Sequence, residues 1–372
     1  MRSRLWPSVM ALAISVGCAG PESSVPALSP DDIAVERRRQ EIAQLRDYYT
    51  QLHRIDRVAF RIRTANRDDC GAAVSAQIGL LAVSPQSLPR RMRSFSSEAL
   101  DLSWDRPTVI AVVEGSPAAE AGIVTGDELV AFNGELIPVA RPRGWIADWL
   151  KKNGVAPIEV RFWRDRDFLT RTMQPVIGCA IPIQLEINPE PGAFTDFRRI
   201  VIHSGMLRLT PSDADLAIII GHELAHVTLG HYAKRMQNML VGAAAGAVVD
   251  GALMAGSIST GGTFTRHLQR IGLMAFSVGF EREADYVGAY YAARAGYDIA
   301  GAENVWRALA LESPASIRLG STHPTTPERF IFMQKVAAEI ADKQRRGLPL
   351  VPALKVSHAT AEPASGTFDD GH

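Results

Sequence analysis

The sequence predicts an α+β protein in which a mainly helical region is interrupted by a β-rich insertion. Between about Gly71 and Ile177, short apolar segments alternate with glycine, asparagine and aspartate turn residues, which is typical of strands and hairpins. Outside the insertion, apolar residues recur at helical spacing, as in Leu52, Ile55 and Val58. A chain of 372 residues that is 47% hydrophobic and 22% charged has enough apolar material for two or three domains, which excludes wholesale disorder.

The charge balance gives no sign of a nucleic-acid partner. Forty lysine and arginine residues cancel forty aspartate and glutamate residues, and the sequence pI is about 7.1. A protein whose main ligand is nucleic acid usually carries a basic surplus that neutralises phosphates. We therefore expect no nucleic acid among its partners.

The first residues have the pattern of a secretory signal. Arg2 and Arg4 precede an apolar stretch, 5–16, that is too short to span a bilayer of about 30 Å. The sequence Ser-Val-Gly-Cys at 15–18 resembles a bacterial lipobox, which implies lipidation of Cys18, and Ala19 implies the outer membrane. The alternative is a plain secreted or uncleaved segment. The prediction is a signal peptide (1–17) and a lipidated tether (18–30) on a protein that faces the periplasm.

The other two cysteines flank the insertion. If Cys18 carries lipid, Cys70 and Cys179 remain as an even pair in an oxidising compartment. We expect a disulfide between them. The alternative is a pair of buried thiols that behave as small apolar side chains.

The insertion, residues 69–178, has a regular order of strands, turns and short helices. Its predicted elements are a strand at Val109–Val113, a short helix closed by Gly122, a strand at Glu128–Phe132, an Asn133-Gly134 hairpin turn, a helix near Gly144–Lys152, and strands at Ile158–Trp163 and Phe168–Met173. The insertion contains the run VVEGSPAAEAGIVTGDELVAFNGELI, which resembles the PDZ domains of bacterial periplasmic proteases.

That resemblance implies a peptide-binding groove beside an edge strand. The candidate strand is Ile78–Val83, with Ile78, Gly79 and Leu80 placed like a carboxylate-binding loop. The alternative is a PDZ-shaped spacer that binds no peptide.

The second helical region, residues 179–345, carries the chemistry. Thr210 and Pro211 are expected to open a buried helix that contains His222-Glu223-Leu224-Ala225-His226. Histidines four residues apart project about 40° apart on a helix, so His222 and His226 can hold one ion with Glu223 beside it. The alternative is a pair of hydrogen-bonded core histidines, which is costly to bury in so apolar a helix.

A catalytic zinc needs a third protein ligand. The metzincin pattern is absent, because Leu229 and Tyr232 stand where it requires glycine and histidine. His231 would point about 140° from His226 on a continuous helix, so we interpret it as structural or as a partner of a ligand. A downstream glutamate in the segment 280–285 is the better candidate.

The order of these motifs resembles the HtpX-like and prenyl-protein-protease family of zinc metallopeptidases, the gluzincins. The motifs are HELAH, then FEREAD at 280–285, then Ser-Thr-His-Pro at 321–324 and Arg329. The resemblance covers 37–66 and 180–345, and it includes an edge β-hairpin in which Gly192 replaces the usual asparagine. It implies a helical peptidase domain whose leading helix is residues 31–68.

The resemblance also assigns roles to single residues. Glu281 is implied as the third ligand of one Zn²⁺ per subunit, Asp285 as the acid that fixes a ligand histidine, and Arg329 as an ion-pair partner. Glu283 is expected to face away from the metal. His323 is implied either to stabilise an oxyanion or to gate the metal, and the alternative is a histidine that anchors a loop.

The predicted function is a zinc endopeptidase that acts on misfolded or misassembled envelope proteins, with the PDZ-like domain binding or regulating substrates. The alternative is a chaperone or scaffold lipoprotein with a latent peptidase site. The apolar run Met239–Val249 is too short for a membrane span and is followed by an acidic residue, Asp250. For residues 239–262, a lid, a membrane-leaning loop, buried packing and disorder all stay open. Residues 346–372 are expected to be a disordered tail.

Overall fold

The computed structural model describes residues 23, 25–196, 198–275, 277–312 and 327–353. The predicted signal peptide, Cys18, His323 and residues 354–372 lie outside the described residues. The chain divides into two compact units, residues 1–41 and residues 42–372. In the first unit, the described residues are 23 and 25–41, and the first helix begins there at Pro30. Both predicted domains belong to the second unit.

The described residues form twelve α-helices, the first of which begins in the first unit. They are α1 (Pro30–Ala65), α2 (Arg90–Arg93), α3 (Ser96–Leu100), α4 (Pro117–Glu120), α5 (Pro142–Asn153), α6 (Ser204–Leu209), α7 (Asp213–Thr228), α8 (His231–Ala255), α9 (Thr263–Met274), α10 (Ser277–Arg294), α11 (Glu303–Glu312) and α12 (Pro327–Arg345). Single-turn helices occupy Arg67–Cys70 and Pro85–Ser87.

The strands form three sheets. They are β1 (Val74–Gln77), β2 (Leu80–Val83), β3 (Thr108–Val112), β4 (Glu128–Phe132), β5 (Glu135–Leu136), β6 (Ile158–Arg164), β7 (Asp167–Met173), β8 (Val176–Cys179), β9 (Ile183–Glu186), β10 (Ala193–Asp196) and β11 (Arg199–His203). The insertion contains a sheet of order β2-β3-β4-β6-β7 with β5 paired to β4, and a separate β1-β8 ladder. A third sheet, β10-β11-β9, is the expected edge hairpin joined by a parallel strand.

The turn between β4 and β5 follows directly from its residues. Asn133 and Gly134 both have positive φ, 47° and 81°, and Phe132 pairs with Glu135 across the turn. Asparagine and glycine are the residues that tolerate this backbone conformation at both central positions. The predicted Asn-Gly hairpin is therefore present.

One helix boundary differs from the prediction. α7 begins at Asp213 with Ser212 as its N-cap, because Ser212 and Asp215 form a capping box three residues apart. Thr210, the expected cap, is instead buried and donates its hydroxyl to the Met206 carbonyl at 3.1 Å. Residues 239–249, for which several roles stayed open, lie within α8, which continues through Asp250 to Ala255.

The insertion has a core of its own and also contributes side chains to the core of the helical region. Its own core is built from residues such as Phe132, Phe162 and Trp149. The opposite face of β2 contributes Leu81 and Val83 to the main core, which also holds α1, α7 and α10. The insertion is thus packed against the peptidase helices within residues 42–372.

A disulfide joins the two ends of the insertion, and polar contacts hold the segment after α12 against α10. A disulfide joins Cys70 to Cys179, with Cα atoms 5.6 Å apart. Beyond α12, the Leu350 carbonyl accepts a hydrogen bond from Arg294 at 2.7 Å, and the Ala353 amide donates to Tyr286 at 3.1 Å. The first part of the predicted tail therefore packs on α10 rather than being disordered.

Candidate metal centre

Two glycines set the distance between the helices that carry the site. Gly221 on α7 faces Gly288 on α10, and a Cβ on Gly288 would lie 2.6 Å from the backbone nitrogen of His222. No larger residue fits at this crossing without displacing the backbone. The close approach brings the acidic motif of α10 against the histidines of α7.

Three of these side chains converge on one point. The Nε2 atoms of His222 and His226 are 3.1 Å apart, and the Glu281 carboxylate lies 3.4 Å from the first and 3.5 Å from the second. All three side chains are buried, at 4% exposure or less for the side-chain atoms. In a tetrahedral zinc site with ligand distances of about 2.0–2.2 Å, the ligand atoms lie roughly 3.3–3.6 Å from one another. The donor set therefore fits one divalent cation such as zinc.

The first histidine is held from behind by an acid and an arginine. Asp285 Oδ1 lies 2.9 Å from His222 Nδ1, so it accepts the ring N–H and directs Nε2 toward His226 and Glu281, where a cation would be held. Arg329 donates two hydrogen bonds to Asp285, at 2.6 and 2.7 Å, and its guanidinium stacks 3.7 Å above the Trp306 ring. This pair fixes both the tautomer and the orientation of His222.

The protonation states follow from the same contacts. Burial acts to lower the pKa of His222, but hydrogen bonds to Asp285 and Glu281 outweigh it and raise the pKa to about 9. Burial acts to raise the pKa of Asp285, but the charges and hydrogen bonds of Arg329 and His222 together outweigh it and hold the pKa below its usual value. Asp285 is therefore a carboxylate at neutral pH.

Glu223 lies next to the ligands on α7 and is buried, with 2% of its surface exposed. Arg235 from α8 donates to the Glu281 carboxylate at 3.0 Å. Arg235 was not predicted as a site residue from the sequence. Its only signal is its place one turn after His231, at the start of a helix that packs beside α7.

His231 is a partner of a ligand, which is one of the two roles that the sequence left open, but it does not lie on a helix continuous with that of His226. The helix ends at Thr228, and Gly230, with φ of +65°, begins a new helix at His231. The His231 ring contacts His226 Nδ1 at 2.9 Å and Glu283 at 3.0 Å. Glu283 is half-exposed and faces away from the predicted ligands, as expected, but it contacts His231. The signal for this turn was Leu229-Gly230, a common helix ending.

The structure thus brings together His222, Glu223, His226, Glu281, Asp285 and Arg329. Cys18 and His323 lie outside the described residues. Among the described residues, one group of histidine, cysteine and acidic side chains is close enough to share a metal ion. It consists of His222, His226 and Glu281.

The predicted peptide-binding loop lines a separate cavity. Ile78 and Gly79 connect β1 to β2 rather than continuing the strand, and Gly79 has φ of +71°. A cavity of about 580 Å³ lies between this loop, β2, α5, α1 and β9. Arg143 on α5 reaches Asp56 on α1 at 3.3 Å, so α1 forms part of the cavity wall.

Fold and site together define a metallopeptidase domain accompanied by a PDZ domain. Residues 184–337 match peptidase family M48, and residues 108–164 match the PDZ domain family. The chain therefore carries an M48 peptidase domain and a PDZ domain, and α1 packs into the peptidase core ahead of both matches.

Several curated proteins are similar to parts of this chain. A beta-barrel assembly-enhancing protease of Yersinia pestis is 31% identical over 157 residues, which cover 38% of this chain and 32% of that protein. The Escherichia coli (strain K12) protein of the same name is 32% identical over 120 residues, covering 30% and 24%. The mitochondrial metalloendopeptidase OMA1 of Schizosaccharomyces pombe is 26% identical over 182 residues, covering 46% and 52%. The matches thus span about a quarter to a half of these relatives.

Among solved structures, the HtrA3 PDZ domain bound to a phage-derived ligand (FGRWV) is 18% identical, with a TM-score of 0.22. The match covers 28% of this chain and 88% of the HtrA3 PDZ chain.

Proposed function

We propose that this chain is a zinc-dependent endopeptidase of the bacterial cell envelope that hydrolyses misfolded or misassembled envelope proteins. The observation that carries the proposal is the convergence of His222, His226 and Glu281 beside the buried Glu223. A chaperone or scaffold would have no use for a buried carboxylate next to two metal-binding histidines, because burying that charge is unfavourable. The protease names of the similar proteins support the same reaction class.

The chemistry assigned to each side chain follows from its position. His222, His226 and Glu281 would hold zinc, which acidifies water and polarises a peptide carbonyl when bound. Glu223 takes the proton of the attacking water and delivers it to the leaving amine. Asp285 and Arg329 keep His222 oriented while this happens. We also assign His323 to this site, either as an oxyanion donor or as a gate.

Substrate presentation is assigned to two strands. β10 is the outer strand of its sheet and packs beside α7, so an extended substrate can pair with it next to the metal ligands. β2 is the outer strand of the PDZ sheet and lines the cavity with α5, where exposed segments or C-termini of substrates are expected to bind. The two sites lie in one compact unit.

The location is proposed from the N-terminal pattern. Lipidation at Cys18 would anchor the chain to the outer membrane, where the peptidase domain faces the periplasm. The similar bacterial proteins are named for assembly of β-barrels, which is an envelope process, and this supports envelope proteins as substrates.

Substitution of the general base tests the proposal. Glu223→Gln is expected to keep one zinc per chain and to lose casein hydrolysis by roughly 10²–10⁴-fold, because only proton transfer is removed. The matched control is Glu135→Gln, an exposed glutamate on β5, which should retain full activity. Zinc is counted by elemental analysis and hydrolysis by fluorescent casein. Wild-type turnover in Glu223→Gln would refute the base, and a wild-type protein without zinc would refute the site.

A further inference from the structure

The surface of α8 is apolar where it faces solvent. From position 240 onward, its exposed residues are Leu240, Val241, Ala244, Ala245, Ala247, Val248, Gly251, Ala252, Met254 and Ala255. The single polar side chain in this stretch, Asp250, is buried. Among the described residues, α8 is the helix whose length and composition would suit a membrane, and only 11% of its most apolar 18 residues are buried. A helix that is apolar on all sides is normally covered by protein or by lipid.

α9 packs back along α8 to form a hairpin, residues 231–274. The two backbones touch, since a Cβ at Gly242 would collide with the Leu268 carbonyl and one at Gly272 with the Asn238 carbonyl. Gly242 and Gly246 are four residues apart on the contact face. Close packing through small residues lets helices associate where no hydrophobic effect drives them together. The hairpin is therefore held by its own contacts, and the other described residues leave its outer face exposed.

The one acid of the hairpin is satisfied internally. Asp250 accepts hydrogen bonds from the Thr265 amide at 2.8 Å, the Thr265 hydroxyl at 2.7 Å and the Phe264 amide at 3.2 Å, and a further one from the Thr260 hydroxyl. It thus caps the beginning of α9 from the neighbouring helix. The outer face of α8 consequently presents no polar side chain between 240 and 255.

The exposed charges on the hairpin itself have one sign. Between Glu223 and Glu281, Asp250 is the only acidic residue, whereas α9 carries the exposed Arg266 and Arg270 one turn apart. Phe264, Ile271 and Met274 are exposed apolar residues on the same helix. An apolar surface bordered by arginines and free of exposed acids matches the acyl chains and phosphates of an anionic bilayer.

We propose that the α8–α9 hairpin inserts its apolar face into one leaflet of an anionic phospholipid bilayer. This contact is independent of any lipid on Cys18 and of the peptidase reaction. α8 begins at His231, whose ring touches His226, and its apolar stretch begins at Leu240, about 13 Å further along the helix. Polypeptides at the membrane surface would then lie near the metal centre.

Depth-resolved fluorescence tests the insertion. Val248 and Leu136 are similarly exposed apolar residues, at 73% and 74%, on α8 and on the PDZ domain. Each is replaced by cysteine in the full chain carrying Cys18→Ser, labelled with nitrobenzoxadiazole, and mixed with phosphatidylethanolamine and phosphatidylglycerol vesicles that contain doxyl lipids. The Val248 probe is expected to be quenched by shallow acyl-chain doxyl groups, since interfacial helices insert about 5–10 Å, and the Leu136 probe is not. An unquenched Val248 probe overturns the proposal.

A second variant separates lipid from a protein partner. Val241→Glu with Val248→Glu places two carboxylates on the exposed face, where folding does not need the valines, and is expected to weaken vesicle binding by roughly tenfold or more. Leu136→Glu is the matched control and should bind as the parent does. If the Val241 and Val248 changes instead dissolve a dimer seen by sedimentation without lipid and leave vesicle binding intact, the face is covered by a second copy and the proposal is wrong.

Discussion

Three histidine rings form a continuous chain at the metal centre. His222 faces His226, and His226 Nδ1 lies 2.9 Å from His231 Nδ1. If His226 binds a cation through Nε2, its proton sits on Nδ1 and is donated to His231, which in turn donates from Nε2 to Glu283 at 3.0 Å. Burial lowers the pKa of His231, so the ring is neutral and able to accept this proton. Each ligand histidine therefore has an acid behind it, Asp285 directly and Glu283 through His231.

Removal of the contacts from His226 through His231 to Glu283 is expected to weaken the metal site. His231→Ala should lower the affinity for zinc by about 10–100-fold, because the ring of His226 loses the contact that fixes its tautomer. Zinc affinity is measured by competition with a chromophoric chelator. The matched control is His267→Ala, an exposed histidine on α9, and His231→Asn should restore part of the affinity through its amide. Equal affinities for His231→Ala and the control would show that His231 is only a packing residue.

Single residues of the site differ in how far the sequence could predict them. The spacing of His222 and His226 depends only on helix geometry, so their convergence was predictable. Glu281 and Asp285 were assigned by family resemblance, because nothing local relates α10 to α7. His231 was assigned the wrong direction, since the prediction assumed one continuous helix, whereas the chain turns at Gly230. A break of two residues, Leu229 and Gly230, changes the direction of every side chain that follows it.

Among the elements, α1 has a role that its own sequence does not disclose. Its periodic apolar residues predict a buried helix, and the structure has one. The structure also places Tyr48, Asp56 and Phe60 in the wall of the PDZ cavity, opposite β2 and α5. That contact depends on Leu81 and Val83 of β2, whose side chains join the core around α1. Such packing between distant segments is not encoded in any local pattern.

Filling the cavity from α5 is expected to block peptide binding. Ala147 lines the cavity and is exposed on α5, so Ala147→Trp should occupy the groove without disturbing the PDZ core. We expect the affinity for an unfolded-protein peptide to fall by roughly tenfold or more, since the indole takes the place of peptide side chains. Fluorescence anisotropy with a labelled peptide measures the change.

Lys151→Trp is the control for this experiment, because Lys151 is exposed on the same helix and is not among the cavity residues. Equal peptide affinity in both variants would mean that peptides bind elsewhere. Absence of peptide binding in the wild-type protein would favour the spacer role that the sequence left open.

At the scale of the whole molecule, the two ends of the PDZ insertion lie side by side where the insertion joins the peptidase core. Cys70 follows α1 and Cys179 ends β8, and the two residues close a segment with a sequence separation of 109. The β1-β8 ladder lies at the same point and pairs Val74 with Cys179. The PDZ domain is therefore joined to the peptidase domain by a disulfide, a strand ladder and a shared core. The fold class and the order of domains were predictable from the sequence, but this shared core was not.

Loss of the disulfide is expected to destabilise the whole second unit. Because a cross-link restricts the unfolded chain, and more so for a long loop, the variant with Cys70→Ala and Cys179→Ala should lose about 2–4 kcal/mol of unfolding free energy. Since β2 packs into the peptidase core, the PDZ and peptidase signals should shift together rather than separate into two transitions. Urea unfolding is followed by tryptophan fluorescence for the PDZ domain, which holds Trp149, and by loss of zinc for the peptidase domain.

A reductant should shift the wild-type midpoint to that of the variant and leave the variant unchanged. Two separated transitions in the oxidised wild-type protein would contradict the shared core, and an unchanged midpoint after reduction would contradict the stabilising role of the disulfide.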